Sequence, residues 1–288
     1  MSGRWRLAVA GFVALAAAGC GPDAVGPPAP AQPCAAPVAR PDGLILAGSG
    51  SNVAVVRALA ARYGAPGGVP IRVPESIGTS GALRALGDGA IDVGLVARRL
   101  TERERDAGLV ETPLARVPVA VVVHPRVPVT GVSRAELAAI FRGERDRWPD
   151  GTPVVPLLRE RGDSGNDLVA RAWPEVWAAM DAALRDGRFS TGYTDQELAD
   201  TAAATDGAVG ILDVGTLRLT RPALRPLAVD GIPPTPLAAE SGTHPLTKTL
   251  AFVTVGPPAG AAARFLRWAT SPEAIELLAG YGYLPPAD

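Results

Sequence analysis

Apolar residues fall into two rhythms along this chain. Short unbroken runs alternate with stretches in which apolar positions recur every three or four residues, the pattern of strands alternating with amphipathic helices. Leu44–Ala47 predicts a buried strand, Val53–Tyr63 a helix and Val69–Val73 a second strand. Ala82–Leu86 then predicts a helix closed near Gly87 and Gly89, and Ile91–Val96 a third strand. Val117–Val123 is a long β-branched strand ending at His124-Pro125. Beyond it Ser133 and Glu136 form a capping box for a helix over Arg134–Phe141, and Val154–Leu158 predicts a strand. A helical pattern from Leu168 is interrupted at Pro174, and Thr194 and Glu197 cap a further helix. Gly207–Leu212 and Leu250–Val255 predict strands; the last helices are Gly260–Trp268 and one capped by Ser271 with Pro272 at its first position. The alternation predicts an α/β fold with largely parallel sheets, and no internal repeat is present.

The 288 residues are 47% hydrophobic, enough for a sizeable core, and the length allows roughly two lobes. A net charge of −1 gives no reason to expect nucleic acid or an acidic membrane as partner. The basic residues are arginines apart from Lys248, which composition alone explains. Arg4 and Arg6 precede an apolar run, Leu7–Ala18, too short to span a membrane and followed by Gly19-Cys20: a signal peptide over residues 1–19. A Cys after small residues resembles a lipobox, although Ala17 stands where Leu is usual. Cys20 would be lipidated and become the mature N-terminus; the alternative is cleavage nearby and free secretion. Residues 20–41, rich in Pro, Ala and Gly, then form a tether that holds the domain off the membrane. With Cys20 acylated, Cys34 has no intramolecular partner.

Three Ser/Gly turns lie between an apolar run and a helical pattern: Gly48-Ser49-Gly50-Ser51-Asn52, Gly78-Thr79-Ser80-Gly81 and Gly162-Asp163-Ser164-Gly165-Asn166. A helix N-terminus presents unpaired N–H groups and about half a positive charge. One such turn is ordinarily a cap; three, beside Arg159 and Arg161, suggest a cage for a small oxyanion.

The order of these motifs resembles that of the periplasmic phosphate-binding proteins, the substrate-capturing lipoproteins of phosphate ABC importers. Besides the three turns, the likeness rests on Ile91-Asp92-Val93-Gly94 running to Arg98 and Leu100, on Val121–Pro125, and on Leu137–Gly143 with Trp148. Gly207–Gly210, Ser241–Leu246 and Ser271-Pro272-Glu273 complete it. The resemblance implies a type 2 periplasmic-binding-protein fold, two α/β lobes joined by crossing strands at Val117–Val123 and Leu246–Val253. Lobe I would be residues 42–120 and 250–288, and lobe II residues 121–249. The ligand, phosphate or a similar tetrahedral oxyanion, would lie between them and pass to an ABC permease. By position it implies contacts from Ser49, Gly50, Ser51, Asn52, Thr79 and Ser80 on one side, and from an arginine, Ser164, Gly165 and Asn166 on the other. It also implies a monomer with no cofactor, no metal and no catalysis.

Two departures stand out. The family often has an Asp, or in some members a Ser, five residues after the Asp92 position, where a carboxylate would accept the proton of hydrogen phosphate; here it is Ala97. Its arginine lies four residues before the Ser, where this chain has Glu160 flanked by Arg159 and Arg161, with Asp163 like an insertion. Arg159 is favoured, and Asp163 is a substitute proton acceptor by hypothesis. Arg98 and Arg99 are either solvated charge at a strand end or ligand contacts. Asp92 is expected to hold local backbone.

Other readings compete. The fold could serve a non-transport oxyanion sensor or surface protein, since fold does not fix function. Gly162-Asp163-Ser164-Gly165 with His124 and Asp146 or Asp150 has the order of a trypsin-like protease, but the α/β pattern opposes that secreted hydrolase. Gly48-x-Gly50 lacks the third glycine of a dinucleotide site. His124 and His244 each precede a proline and are expected at turns or on the surface rather than as metal ligands.

Overall fold

The first apolar run forms β1 (Leu44–Gly48), which pairs in parallel with β2 (Ile71–Arg72) and β3 (Val93–Val96). The computed structural model describes residues 43–64 and 69–287. The signal peptide, Cys20, Cys34 and the tether lie outside the described residues. α1 (Gly50–Tyr63) follows β1 and α2 (Gly78–Gly87) follows β2. Gly48 ends β1 because nothing larger fits: a Cβ there would lie 2.0 Å from the Leu95 carbonyl oxygen of β3. The Asp92 carboxylate accepts from the Ile45 N–H at 2.8 Å, the local backbone role expected of it.

After the short α3 (Glu102–Asp106) comes β4 (Leu109–Val123), a 15-residue strand serving two groups of partners. Leu109–Pro118 pair with β10 (Thr247–Val255), whereas Val119–Val123 pair with β8 (Ala208–Asp213), and Val121–Val123 also with β9 (Arg225–Val229). β4 begins eight residues before the predicted Val117. Pro113, Arg116 and Pro118 interrupt the apolar run there, and the register shifts between Leu250 and Ala251, opposite Ala115 and Pro113. A proline has no N–H for a ladder, so a shift in register there is expected.

The chain continues through β5 (Gly131–Val132), α4 (Arg134–Arg142), β6 (Val155–Arg159), α5 (Ser164–Ala172), α6 (Pro174–Arg185), β7 (Ser190–Gly192) and α7 (Asp195–Ala203). Between β8 and β10 lie α8 (Val214–Thr220), β9 and α9 (Pro236–Glu240); α10 (Gly260–Ala269) and α11 (Pro272–Gly280) close the fold. Hydrogen bonds connect the strands in the order β2-β1-β3-β10-β4-β8-β6-β7. Pairing is parallel within β2-β1-β3 and β8-β6-β7, but β10 is antiparallel to β3 and β4, and β4 to β8. The sheet is therefore mixed where the joining strands run, not largely parallel throughout.

Burial follows the same division. One core gathers Leu46, Leu59, Leu95, Leu114, Phe252 and Phe265, with Phe265 edge-on to Tyr63 and Phe252 at ring separations of 5.4 and 5.9 Å. Another gathers Val121, Leu137, Phe141, Trp148, Val169 and Met180. α3, α8, α9 and β5, β7 and β9 are too short or too polar for periodicity to reveal.

Candidate functional site

All three Ser/Gly turns begin helices, and each helix starts earlier than its apolar pattern: α1 at Gly50, α2 at Gly78 and α5 at Ser164. The first turns are buried by polar residues instead. Ser51, Asn52, Thr79, Ser164 and Asn166 are all buried. Neither α1 nor α2 is capped by a side chain, whereas Asp163 caps α5 by accepting from the Gly165 N–H at 2.8 Å.

The first two helix starts converge on the end of β3. Asn52 donates to the Val96 carbonyl at 3.0 Å, and the Ala97 N–H donates to the Thr79 hydroxyl at 3.2 Å. Lys248, on β10, connects this region to the third. Its ammonium donates to the Ser51 hydroxyl at 2.8 Å, and a Cβ on Gly165 would lie 3.4 Å from the same nitrogen. A cavity of about 300 Å³ opens here, lined by Ala97, Arg98, Arg99, Ser164, Leu168, Arg171, Thr247, Lys248 and Thr249.

Arg159, at the end of β6, is buried among carboxylates. It meets Asp195 at 2.6 Å and Asp163 at 3.2 Å, and donates to the Tyr193 carbonyl at 3.0 Å. Burial would depress this guanidinium, but the negative charges of Asp195 and Asp163 outweigh it and raise it further. Burial likewise pushes Asp163 up, yet Lys248, Arg159 and amide donors at the start of α5 prevail and hold it below its ordinary value. Asp195 is the first residue of α7, and its second oxygen lies 2.0 Å from where a Cβ of Gly50 would be. The acid therefore rests against the start of α1.

Asp213 caps α8 by accepting from the Thr216 N–H at 2.7 Å and hydroxyl at 2.9 Å. Burial first, and the charge of Asp195 second, push its carboxyl up to about 6, against the pull of Lys248 and Thr216. Burial and these two acids also drive the Tyr283 phenol well above its ordinary value, so it stays neutral. Among the described residues, Asn52 Oδ1, Arg159 Nε, Ser164 Oγ, Asp195 Oδ2 and Tyr283 Oη are buried without a protein hydrogen-bond partner. The first four belong to the turns and ion pairs just described.

The remaining predicted positions lie as follows. Ser49, Gly50 and Ser51 form the start of α1, and Ser80 is on the exposed side of α2. Arg98 lines the cavity while paired with Glu104 at 2.7 Å; Arg161 is exposed and pairs with Asp181 at 2.6 Å. His244 is buried rather than at the surface, its Nε2 at 2.8 Å from the Val119 carbonyl; burial pulls its pKa down, so the neutral ring donates. His124 lies 3.4 Å from Asp206 and, among the described residues, bonds to neither Asp146 nor Asp150. Those residues contain no group of three His, Cys, Asp or Glu that could hold a metal, and no helix long and apolar enough to cross a membrane.

Lys248, Arg171, Asp195 and Asp213 are the residues of this region that the motif reading did not single out. Lys248 carried one signal: it is the only lysine in the chain.

Residues 32–273 match the family described as PBP superfamily domain. The chain belongs to that superfamily. It is 28% identical over 216 residues to the phosphate-binding protein PstS of Bacillus subtilis, across 73% of this chain and 70% of that protein. A phosphate ABC transporter substrate-binding protein from Clostridium perfringens, solved with bound phosphate, superposes with a TM-score of 0.71 at 18% identity, over 85% of this chain and all of that one. An ABC-type phosphate transport receptor from Vibrio cholerae gives 0.59 at 19%, over 84% of this chain and all of its own. The fold is that of the type 2 periplasmic-binding proteins, a two-lobed α/β architecture.

Proposed function

We propose that this protein is an extracytoplasmic solute-binding protein that takes up phosphate, or a similar tetrahedral oxyanion, and delivers it to an ABC importer. The observation that carries the reading is the 300 Å³ cavity at the start of α5, walled by Lys248, Ser164, Arg98, Arg99 and Arg171, whose wall residues Lys248 and Ala97 hydrogen-bond to Ser51 and Thr79 in the first turns of α1 and α2. Basic side chains and a hydroxyl donor suit an anion, and charge-assisted hydrogen bonds contribute roughly 1.5–3 kcal/mol each. Micromolar affinity needs only about 8 kcal/mol.

The contacts would come from Ser49, Gly50, Ser51, Asn52, Thr79 and Ser80 on lobe I and from Arg159, Ser164, Gly165 and Asn166 on lobe II. Arg98 stands at the cavity wall, Asp163 would accept a hydrogen bond from the protonated ligand oxygen, and Arg161, exposed and paired with Asp181, is the alternative to Arg159 as the arginine contact. The lobes would be residues 42–120 with 250–288, and 121–249, closing about β4 and β10 as in other hinged binding proteins. The protein would be a monomer without catalytic activity, anchored through a lipid on Cys20. Similarity to the B. subtilis phosphate-binding protein over most of its length supports the transport role.

Thermal-shift screening tests the reading. Phosphate is expected to raise the melting temperature in proportion to ln(1 + [L]/Kd), with arsenate close to it and sulfate, molybdate and tungstate compared alongside. No shift with any of the five anions overturns it. Permease and ATPase genes beside this one would favour transport over a sensor role.

A further inference from the structure

Among 28 basic residues this chain has one lysine, and that lysine is 5% exposed on the strand joining the two halves of the sheet. Removing an ammonium from water is costly unless it is paired and hydrogen-bonded. Among the described residues its one hydrogen bond, to Ser51, goes to an uncharged hydroxyl. Two carboxylates, Asp163 and Asp213, feel its charge, but Asp163 pairs with Arg159 and Asp213 accepts from Thr216 at the start of α8. An ammonium has three hydrogens to donate, and the Ser164 hydroxyl on the same cavity wall has no protein partner. Two donors thus border one cavity with capacity to spare.

The ammonium also packs closely against the start of α5. The ammonium nitrogen lies 3.4 Å from where even a methyl group on Gly165 would sit. A compact ammonium sits against the start of α5 at ordinary contact distance, and a planar guanidinium would present its donors in a different geometry there. Ala97, on the same cavity, presents no carboxylate to repel an anion.

Building on the oxyanion reading, we propose that Lys248 contacts the ligand directly. Its ammonium trades part of its bond to Ser51 for an unprotonated oxygen of a tetrahedral dianion that Ser164 also holds. Because Ser51 lies in the first turn of α1 and Ser164 begins α5, the ligand then joins elements from both sides of β4 and β10 through this one cation.

The lone lysine makes the test direct. Protein grown with ¹⁵N-lysine carries one side-chain ammonium, followed by ¹H–¹⁵N spectroscopy while inorganic phosphate, then sulfate, is titrated, with calorimetry in parallel. The ammonium signal is expected to move and saturate at the dissociation constant found calorimetrically. Lys248→Met is expected to weaken phosphate at least tenfold, and Lys248→Arg to fall short of the wild type. Heat of binding with an unmoved ammonium signal overturns the role of Lys248 and leaves the oxyanion reading intact. So does wild-type affinity in a Lys248→Met protein that shows a cooperative unfolding transition. Absence of both heat and signal change overturns the oxyanion reading, and this role with it.

Discussion

Arg159 and Asp195 meet at 2.6 Å, the arginine at the end of β6 and the aspartate opening α7, both almost wholly buried. Removing one partner of such a pair costs about 3–5 kcal/mol, because the other charge stays buried with less compensation. Asp163 still faces Arg159, so Asp195→Ala is expected at the lower end, about 3 kcal/mol. Urea denaturation measures it; an unchanged midpoint would mean that the pair adds nothing to stability.

Asp213 gives a pH dependence of definite sign. Its carboxyl titrates near 6 in the folded protein, above its ordinary 3.8, so the folded state holds the proton more tightly. Stability from this group is therefore greatest below about pH 4 and declines as pH rises through 6. Asp213→Asn keeps a side chain able to cap α8 and removes the charge. The variant is expected to be more stable than wild type at pH 7, with the difference shrinking toward pH 4.5 in denaturation curves. A difference that does not vary with pH contradicts this.

Gly215 and Tyr283 are packed so tightly that a Cβ on the glycine would fall 2.1 Å from the tyrosine ring. Overpacking of this kind costs about 1–3 kcal/mol, so Gly215→Ala is expected to lower the melting temperature by several degrees. In the double variant with Tyr283→Ala, the combined loss should be smaller than the sum of the two single losses. Strict additivity would show that the two residues do not collide.

Ala97→Asp places a carboxylate on the cavity wall that holds Ser164 and Lys248. It would accept the proton of hydrogen phosphate and repel sulfate, which has none to give. Calorimetry is expected to show the phosphate-to-sulfate affinity ratio rising about tenfold, equivalent to about 1.4 kcal/mol. A ratio equal to that of the wild type rejects position 97 as a discriminator.

Much of the fold was legible from periodicity. The runs at Leu44, Ile91, Val154 and Gly207 form strands at or within a few residues of the predicted places, because a buried strand needs an unbroken apolar stretch. The capping box at Ser133 and the side-chain cap at Thr194 marked α4 and α7. Periodicity puts the starts of α1, α2 and α5 three or four residues late for one reason. Ser51, Asn52, Thr79, Ser164 and Asn166 are buried without being apolar, which hydrophobic rhythm does not register.

The amino-acid order by itself determined the α/β alternation and the three glycine-bearing turns, since both depend on residues close together along the chain. Tertiary structure alone decided the charges that surround those turns. Lys248 comes from 197 residues beyond Ser51, and Asp195 from 36 beyond Arg159. Such pairings arise only when β4 and β10 bring their flanking segments together. Burial then turns ordinary surface charges into strongly interacting groups, because low-dielectric surroundings magnify every charge they enclose.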